Sequence, residues 1–184
     1  MLAGEPFNPF DKVLMQERHW SAQAQFRFNT NVNPSNVLSS GTVDYFFTEI
    51  LVAGRKSGEV RRIDSHMGKN CHVATPFACD YGYHLSLGEN IVIGADCRFH
   101  DSARIAIGRN CKIGVRVTIQ TLKTPTDTKS LKGSNGTEIA QEVLIGENVY
   151  IGDNCMIAAG VQIGPNTIVR PGSVVLSVSS SPPY

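Results

Sequence analysis

The residues best suited to acid–base chemistry lie close together in the chain. "ADCRFHD" carries Asp96, Arg98, His100 and Asp101, and "CDYGY" carries Asp80 a little earlier. A histidine titrating near pH 6.5 can take a proton from a hydroxyl or return one. Phe99 holds an inward position of the repeat described below, so His100 is expected to point outward. An outward histidine is ordinarily just solvated. Buried beside Asp96 or Asp101 it becomes the best acid–base group of the chain. Asp80 has a competing reading as a turn residue, because "DYGY" with Gly82 makes a corner on which tyrosines pack. Arg98 and Arg116 are suited to hold an anionic group or to pair with surface carboxylates.

A second stretch, "TIQTLKTPTDTKS" (residues 118–130), interrupts a regular repeat with a polar loop. The loop offers Lys123, Thr124 and Asp127 but no histidine, cysteine or carboxylate pair.

The elements that must position these groups are legible from a period of six. Ile145, Ile151, Ile157, Ile163, Val169 and Val175 recur without a slip. Earlier, Leu87, Ile93 and Phe99 do the same, and after a two-residue shift so do Ile107, Ile113 and Ile119. A helix repeats near 3.6 and a half-buried strand at two, so neither explains six. A coil of three short strands does, with one corner per hexapeptide and an aliphatic stacked inside at each step. Glycine follows many of the inward aliphatics, and asparagines such as Asn90, Asn110 and Asn148 suit corners with positive φ. Cys97, Cys111 and Cys155 fall at small inward positions and read as core.

The reading is therefore mainly β, a parallel β-helix, preceded by helices over 11–28 (Asp11 as N-cap) and 40–54. Its predicted organisation is an N-terminal helical segment over 1–60 packing on the coil, the coil over 61–178 with an active-site loop at 120–141, and a tail over 179–184. Prisms of this kind pack face to face, so an oligomer is expected.

Bulk properties narrow the function classes. The 184 residues favour one domain, and 17 basic against 16 acidic side chains leave a net charge of +1. No basic stripe interleaved with aromatics appears, which excludes a nucleic-acid partner. Five cysteines without framework spacing point to a reducing, cytoplasmic setting. The N-terminus has no signal-peptide core, and no apolar run reaches membrane length. Asn135-Gly136-Thr137 reads as a turn and not as a glycosylated sequon.

Several stretches together resemble the sugar-acetylating branch of the hexapeptide-repeat acetyltransferases, the maltose and galactoside O-acetyltransferases. They are "LAGE" before a helix, "PFACDYGYHLSLGENIVI", "IGRNCKIGVRVTIQT" and "EVLIGENVYIGDNCMIAAGVQIG". The resemblance implies a left-handed parallel β-helix, a homotrimer with each active site in a groove between subunits, and acetyl transfer from acetyl-CoA to a hydroxyl. It also implies a loop histidine immediately before a proline as general base. Here Thr124 stands before Pro125, and a threonine hydroxyl is far too weak a base. Other family positions differ too. Gly94-Ala95-Asp96 replaces an Asn-Phe-Asn acceptor contact, and Arg170 replaces a glycine beside the coenzyme groove.

Under this resemblance Asp80, Tyr81 and Tyr83 match positions near the acceptor. Asp96 and His100 border the acceptor pocket, with His100, Asp80 and Asp96 as catalytic candidates. Tyr81, Tyr83, Arg98, Gln120, Lys123, Thr124 and Tyr150 are the candidate substrate contacts. A zinc site like that of the γ-class carbonic anhydrases is suggested by His66, His72, His84 and His100. It needs three or four ligands on one point, and "PFACDYGY" breaks the register between His72 and His84, so no metal is expected.

Three functions fit. The first is a repurposed enzyme acting on a small metabolite by isomerisation, cyclisation or dehydration, without cofactor. The second is a divergent acetyl-CoA-dependent O-acyltransferase with a new base. The third is an inactive binding protein.

Overall fold

A six-residue period yields one short strand per side of a coil, and this is what forms. The computed structural model describes residues 4–32, 40–54, 65–123, 127 and 131–176. Three sheets of five parallel strands each make the sides. The first joins β1 (His66–Met67), β4 (Leu85–Leu87), β7 (Ile105–Ile107), β10 (Val143–Ile145) and β13 (Gln162–Ile163). The second joins β2 (His72–Val73), β5 (Val92–Ile93), β8 (Lys112–Ile113), β11 (Tyr150–Ile151) and β14 (Ile168–Val169). The third joins β3 (Phe77–Cys79), β6 (Cys97–His100), β9 (Thr118–Gln120), β12 (Met156–Ile157) and β15 (Val174–Val175). Successive strands in the chain belong to successive sheets, so the backbone climbs as a three-sided coil.

The predicted aliphatic columns fill the interior: Ile93, Ile113, Ile119, Ile151 and Ile157 are buried in register, one above another. At one corner Asn70, Asn90, Asn110, Asn148 and Asn166 all adopt φ near 58°, the left-handed region asparagine tolerates. Their side chains form a ladder, each amide donating to the next carboxamide oxygen at 3.0–3.1 Å. At the next corner glycine stacks on glycine, because a Cβ on Gly94 would sit 2.7 Å from the Gly114 carbonyl. Cys97, Cys111 and Cys155 are buried, and each thiol donates to a carbonyl of the following coil at 3.1 Å.

Two helices close the first coil. Helix α1 (Lys12–Asn31) starts at Asp11, whose carboxylate accepts from Val13 N and Leu14 N. It runs beyond the predicted 28 because its last turn is held by the coil. Gln25 and Asn29 each exchange two hydrogen bonds with the backbone of β3, at Cys79 and Phe77. Two carboxamides thus satisfy a sheet edge that would otherwise lie open. Helix α2 (Ser40–Val52) lies against α1. Phe28, Phe47, Phe77 and Phe99 form a chain of edge-to-face contacts, centroids 5.2–5.5 Å apart, from the helices into the coil. Among the described residues, no helix is long and apolar enough to cross a membrane.

The loop between β9 and β10 leaves the third sheet at Gln120. Leu122 pairs antiparallel with Ala140, and Phe7 pairs with Glu138, so the N-terminal segment is stitched to the loop. The predicted segment boundary at 60/61 and the tail at 179–184 lie outside the described residues.

Candidate active site

Each complete coil of the first half takes 20 residues, as the register pairs Ile93–Ile113 and Phe99–Ile119 show. The residue after Cys79 therefore stands over His100, and that residue is Asp80. Its carboxylate lies 3.2 and 3.3 Å from His100 Nδ1. Both side chains are between a quarter and a third exposed, at 27% and 29%. Phe99 beside His100 is fully buried, so the histidine points outward as expected. The Asp80 hydrogen bond raises the His100 pKa above its ordinary value, opposed by partial burial and by the positive charge of Arg98. With Nδ1–H donating to Asp80, the tautomer is set and Nε2 carries the free lone pair.

The turn that presents Asp80 is built on Asp101, the residue after His100. Asp101 Oδ1 accepts from Asp80 N at 2.9 Å and Tyr81 N at 2.8 Å, and Oδ2 accepts from Gly82 N at 2.8 Å. Asp101 is fully buried, which pushes its carboxyl up to about 7 against the pull of the three N–H donors. Thr121, also buried, donates to the His100 carbonyl at 2.6 Å and accepts from Ala103 N at 3.0 Å. The loop that follows β9 is thereby fastened to the backbone of His100 itself, and Gln120 lies in register with His100.

The other candidates are dispersed. Asp96 is exposed at a corner with φ 60° and is not bonded to His100; it takes the place asparagine holds at other corners. Arg98 shares the outer face of β6 with His100 and is exposed. Tyr81 and Tyr83 are 1% and 3% exposed. The Tyr81 hydroxyl accepts from Arg18 at 2.6 Å, and the Tyr83 hydroxyl donates to Glu17 at 2.7 Å. They fasten α1 to the coil and have no open surface for a substrate, contrary to the expected contact role. Burial pushes the Tyr81 hydroxyl up to about 12 and that of Tyr83 further still. Lys123 is exposed, its backbone bonded to Ile139. Tyr150 lies on the second sheet, a different side of the prism from His100. Thr124 lies outside the described residues. The zinc candidates go to separate places. His66 meets Ser86, His72 sits in β2 on the second sheet, and His84 meets the Asp101 carbonyl.

Sequence reasoning missed Asp101 as the anchor of the turn, and Glu17 and Arg18 as the tyrosines' partners. The first had a signal in the 20-residue coil length. The helix partners had none, since nothing in the repeat fixes how α1 lies on it.

Comparison with known proteins agrees with this architecture. Residues 142–177 match the bacterial transferase hexapeptide (six repeats) family, and residues 1–38 match the maltose acetyltransferase hexapeptide capping motif. The chain is 31% identical over 148 residues to nodulation protein L of Rhizobium meliloti, spanning 80% of this chain and 70% of that protein. A maltose O-acetyltransferase from Clostridium difficile superposes with TM-score 0.78 at 28% identity, covering 96% of this chain and 84% of that one. A hexapeptide-repeat acetyltransferase of Vibrio cholerae, solved with acetyl coenzyme A, gives TM-score 0.77 at 24% identity over 96% and 85% of the two chains. The coil is thus the left-handed parallel β-helix of these enzymes. The chain belongs to the hexapeptide-repeat acetyltransferase family, in its maltose and galactoside O-acetyltransferase branch.

Proposed function

We propose that this protein is an acetyl-CoA-dependent O-acyltransferase whose general base is His100, held by Asp80, in place of the loop histidine that the branch resemblance implies. The observation that carries this reading is the Asp80–His100 pair standing where the loop departs, beside Gln120 and fastened through Thr121. In this reading Nε2 of His100 takes the proton of the acceptor hydroxyl as it attacks the thioester carbonyl. Asp80 holds the ring and stabilises the imidazolium that forms, and the proton then passes to the leaving thiolate.

Coenzyme A would supply the activated acetyl group. The outward column next to the pair begins at Arg98, two residues before His100, and continues through Thr118, Met156 and Val174 to the last coil, uncharged beyond Arg98, which suits the coenzyme arm. Arg170, at the corner before β15, is exposed; it stands where the branch resemblance implies a glycine beside the coenzyme groove.

The protein acts as a homotrimer in this reading. The outer face of the second sheet carries His72, Val92, Lys112, Tyr150 and Ile168 in register, a mixed face on which Val92 and Ile168 are exposed at 41% and 73% and offer apolar contacts to a second copy. Tyr150 lies on that face and reaches an active site only from a neighbouring subunit.

A second reading, an isomerase, cyclase or dehydratase working without coenzyme, uses the same pair, and Arg170 favours it. Calorimetric titration with acetyl-CoA, with oligomeric state from light scattering, separates the two. Micromolar binding to a trimer supports acyl transfer. A trimer that does not bind the coenzyme leaves the coenzyme-free chemistry.

A further inference from the structure

Several arginines have defined partners. Arg27 pairs with Glu49 at 3.1 Å, Arg109 with Glu147 at 2.6 Å, and Arg116 Nε donates to the Asn154 side chain at 2.8 Å. Arg18 is engaged by Tyr81 and Pro9. Among the described residues, Arg98 has no carboxylate within ion-pair distance and no side-chain hydrogen bond. Arg104 and Arg170 are also without such partners, but neither lies on the strand that carries His100.

The position of Arg98 gives this meaning. Two residues apart on one strand, Arg98 and His100 share the outer face, with Cα atoms about 7 Å apart. They are close enough for the Arg98 charge to oppose protonation of the imidazole. On the flanking strands Arg98 is registered with Ala78 on one side and Thr118 on the other. A methyl group and a hydroxyl leave the guanidinium open, with a hydrogen-bonding neighbour in reach. Asp80, the carboxylate of the pair, is engaged by His100.

We propose that Arg98 is a specificity-determining anion anchor: the acceptor carries a carboxylate or phosphate roughly one sugar ring away from the hydroxyl that faces His100. This rests on the reading of His100 as the base of the same site. A guanidinium binds such a group through two parallel N–H donors, which fixes orientation as well as affinity. The contact is exposed and therefore weakens with salt. The acceptor class is then a hydroxylated anion, in place of the neutral sugar that the branch resemblance implies.

The test uses methyl glucuronide and methyl glucoside, which differ only in a carboxylate against a hydroxymethyl group. Their dissociation constants are measured by NMR titration at low salt with the full chain, its R98Q variant and its R98K variant. The glucuronide is expected to bind about 10- to 100-fold more tightly than the glucoside. R98Q is expected to abolish that preference and R98K to keep part of it. Equal affinity for the two probes, a preference that survives R98Q, or no binding of either at millimolar concentration overturns the proposal. Binding requires no acetyl transfer, so an inactive His100→Asn variant that still prefers the glucuronide would remove the base and leave the anchor standing.

Discussion

Asp80 and His100 are 20 residues apart in the chain and face each other across two adjacent coils, the carboxylate 3.2 Å from Nδ1. The repeat sets this contact, since one full coil of this half is 20 residues long. Asp101 then fixes the height of Asp80 through three backbone N–H groups. The pair is a product of coil geometry and does not depend on loop placement.

The pH dependence follows from the pairing. Asp80 raises the His100 pKa above the ordinary value near 6.5. A base must be neutral, so kcat/KM should rise with pH and level off only above that raised pKa. Asp80→Asn should shift the rising limb to lower pH and reduce kcat/KM at least about tenfold. The stability contribution has the opposite sense: it is complete below the unfolded histidine pKa and lost as pH rises through the folded one. A rate profile that D80N leaves in place would contradict the pairing.

Asp101→Asn should destabilise the fold by about 1–3 kcal/mol, read from urea midpoints. A carboxamide keeps one acceptor oxygen for Asp80 N and Tyr81 N but sets an NH2 group against Gly82 N–H. Wild-type stability in D101N would mean that the buried carboxylate does not hold the turn.

Gly82→Ala tests how the helices close the coil. Gly82 has φ +79°, and a Cβ there would lie 2.3 Å from the Ile50 carbonyl of α2. The variant should lose more than about 1 kcal/mol. Protection of α2 amides from exchange should fall first, and an unchanged exchange pattern would count against the docking described.

The thiols should be inert. Burial raises the pKa of Cys79 and Cys111 and pushes that of Cys97 up to about 11. Maleimide at neutral pH is expected to leave all three unlabelled in the native protein and to label them after denaturation. Rapid native labelling would show that the coil opens there.

The coil was legible because one aliphatic per six residues has no other structural solution, and the asparagine corners confirmed the period. The outward direction of His100 followed from buried Phe99 beside it. Its partner was within reach of the same reasoning: Ile93 to Ile113 and Phe99 to Ile119 both count 20, and the same count from His100 returns Asp80. The tyrosines were misplaced for a different reason. Nothing in a six-residue repeat tells which outward side chains a helix will cover, and α1 covers Tyr81 and Tyr83 through Arg18 and Glu17. Asp96 was drawn to His100 by closeness in sequence, yet it occupies a left-handed corner.

The most direct measurement is the release of coenzyme thiol from acetyl-CoA with maltose, methyl galactoside and methyl glucuronide as acceptors, for the wild type and His100→Asn. Wild-type transfer to at least one acceptor is predicted, with kcat/KM in H100N lower by about 100- to 10,000-fold and acetyl-CoA affinity unchanged. Wild-type rates in H100N, or no transfer by the wild type to any of the three, would contradict His100 as the base of an acyltransferase.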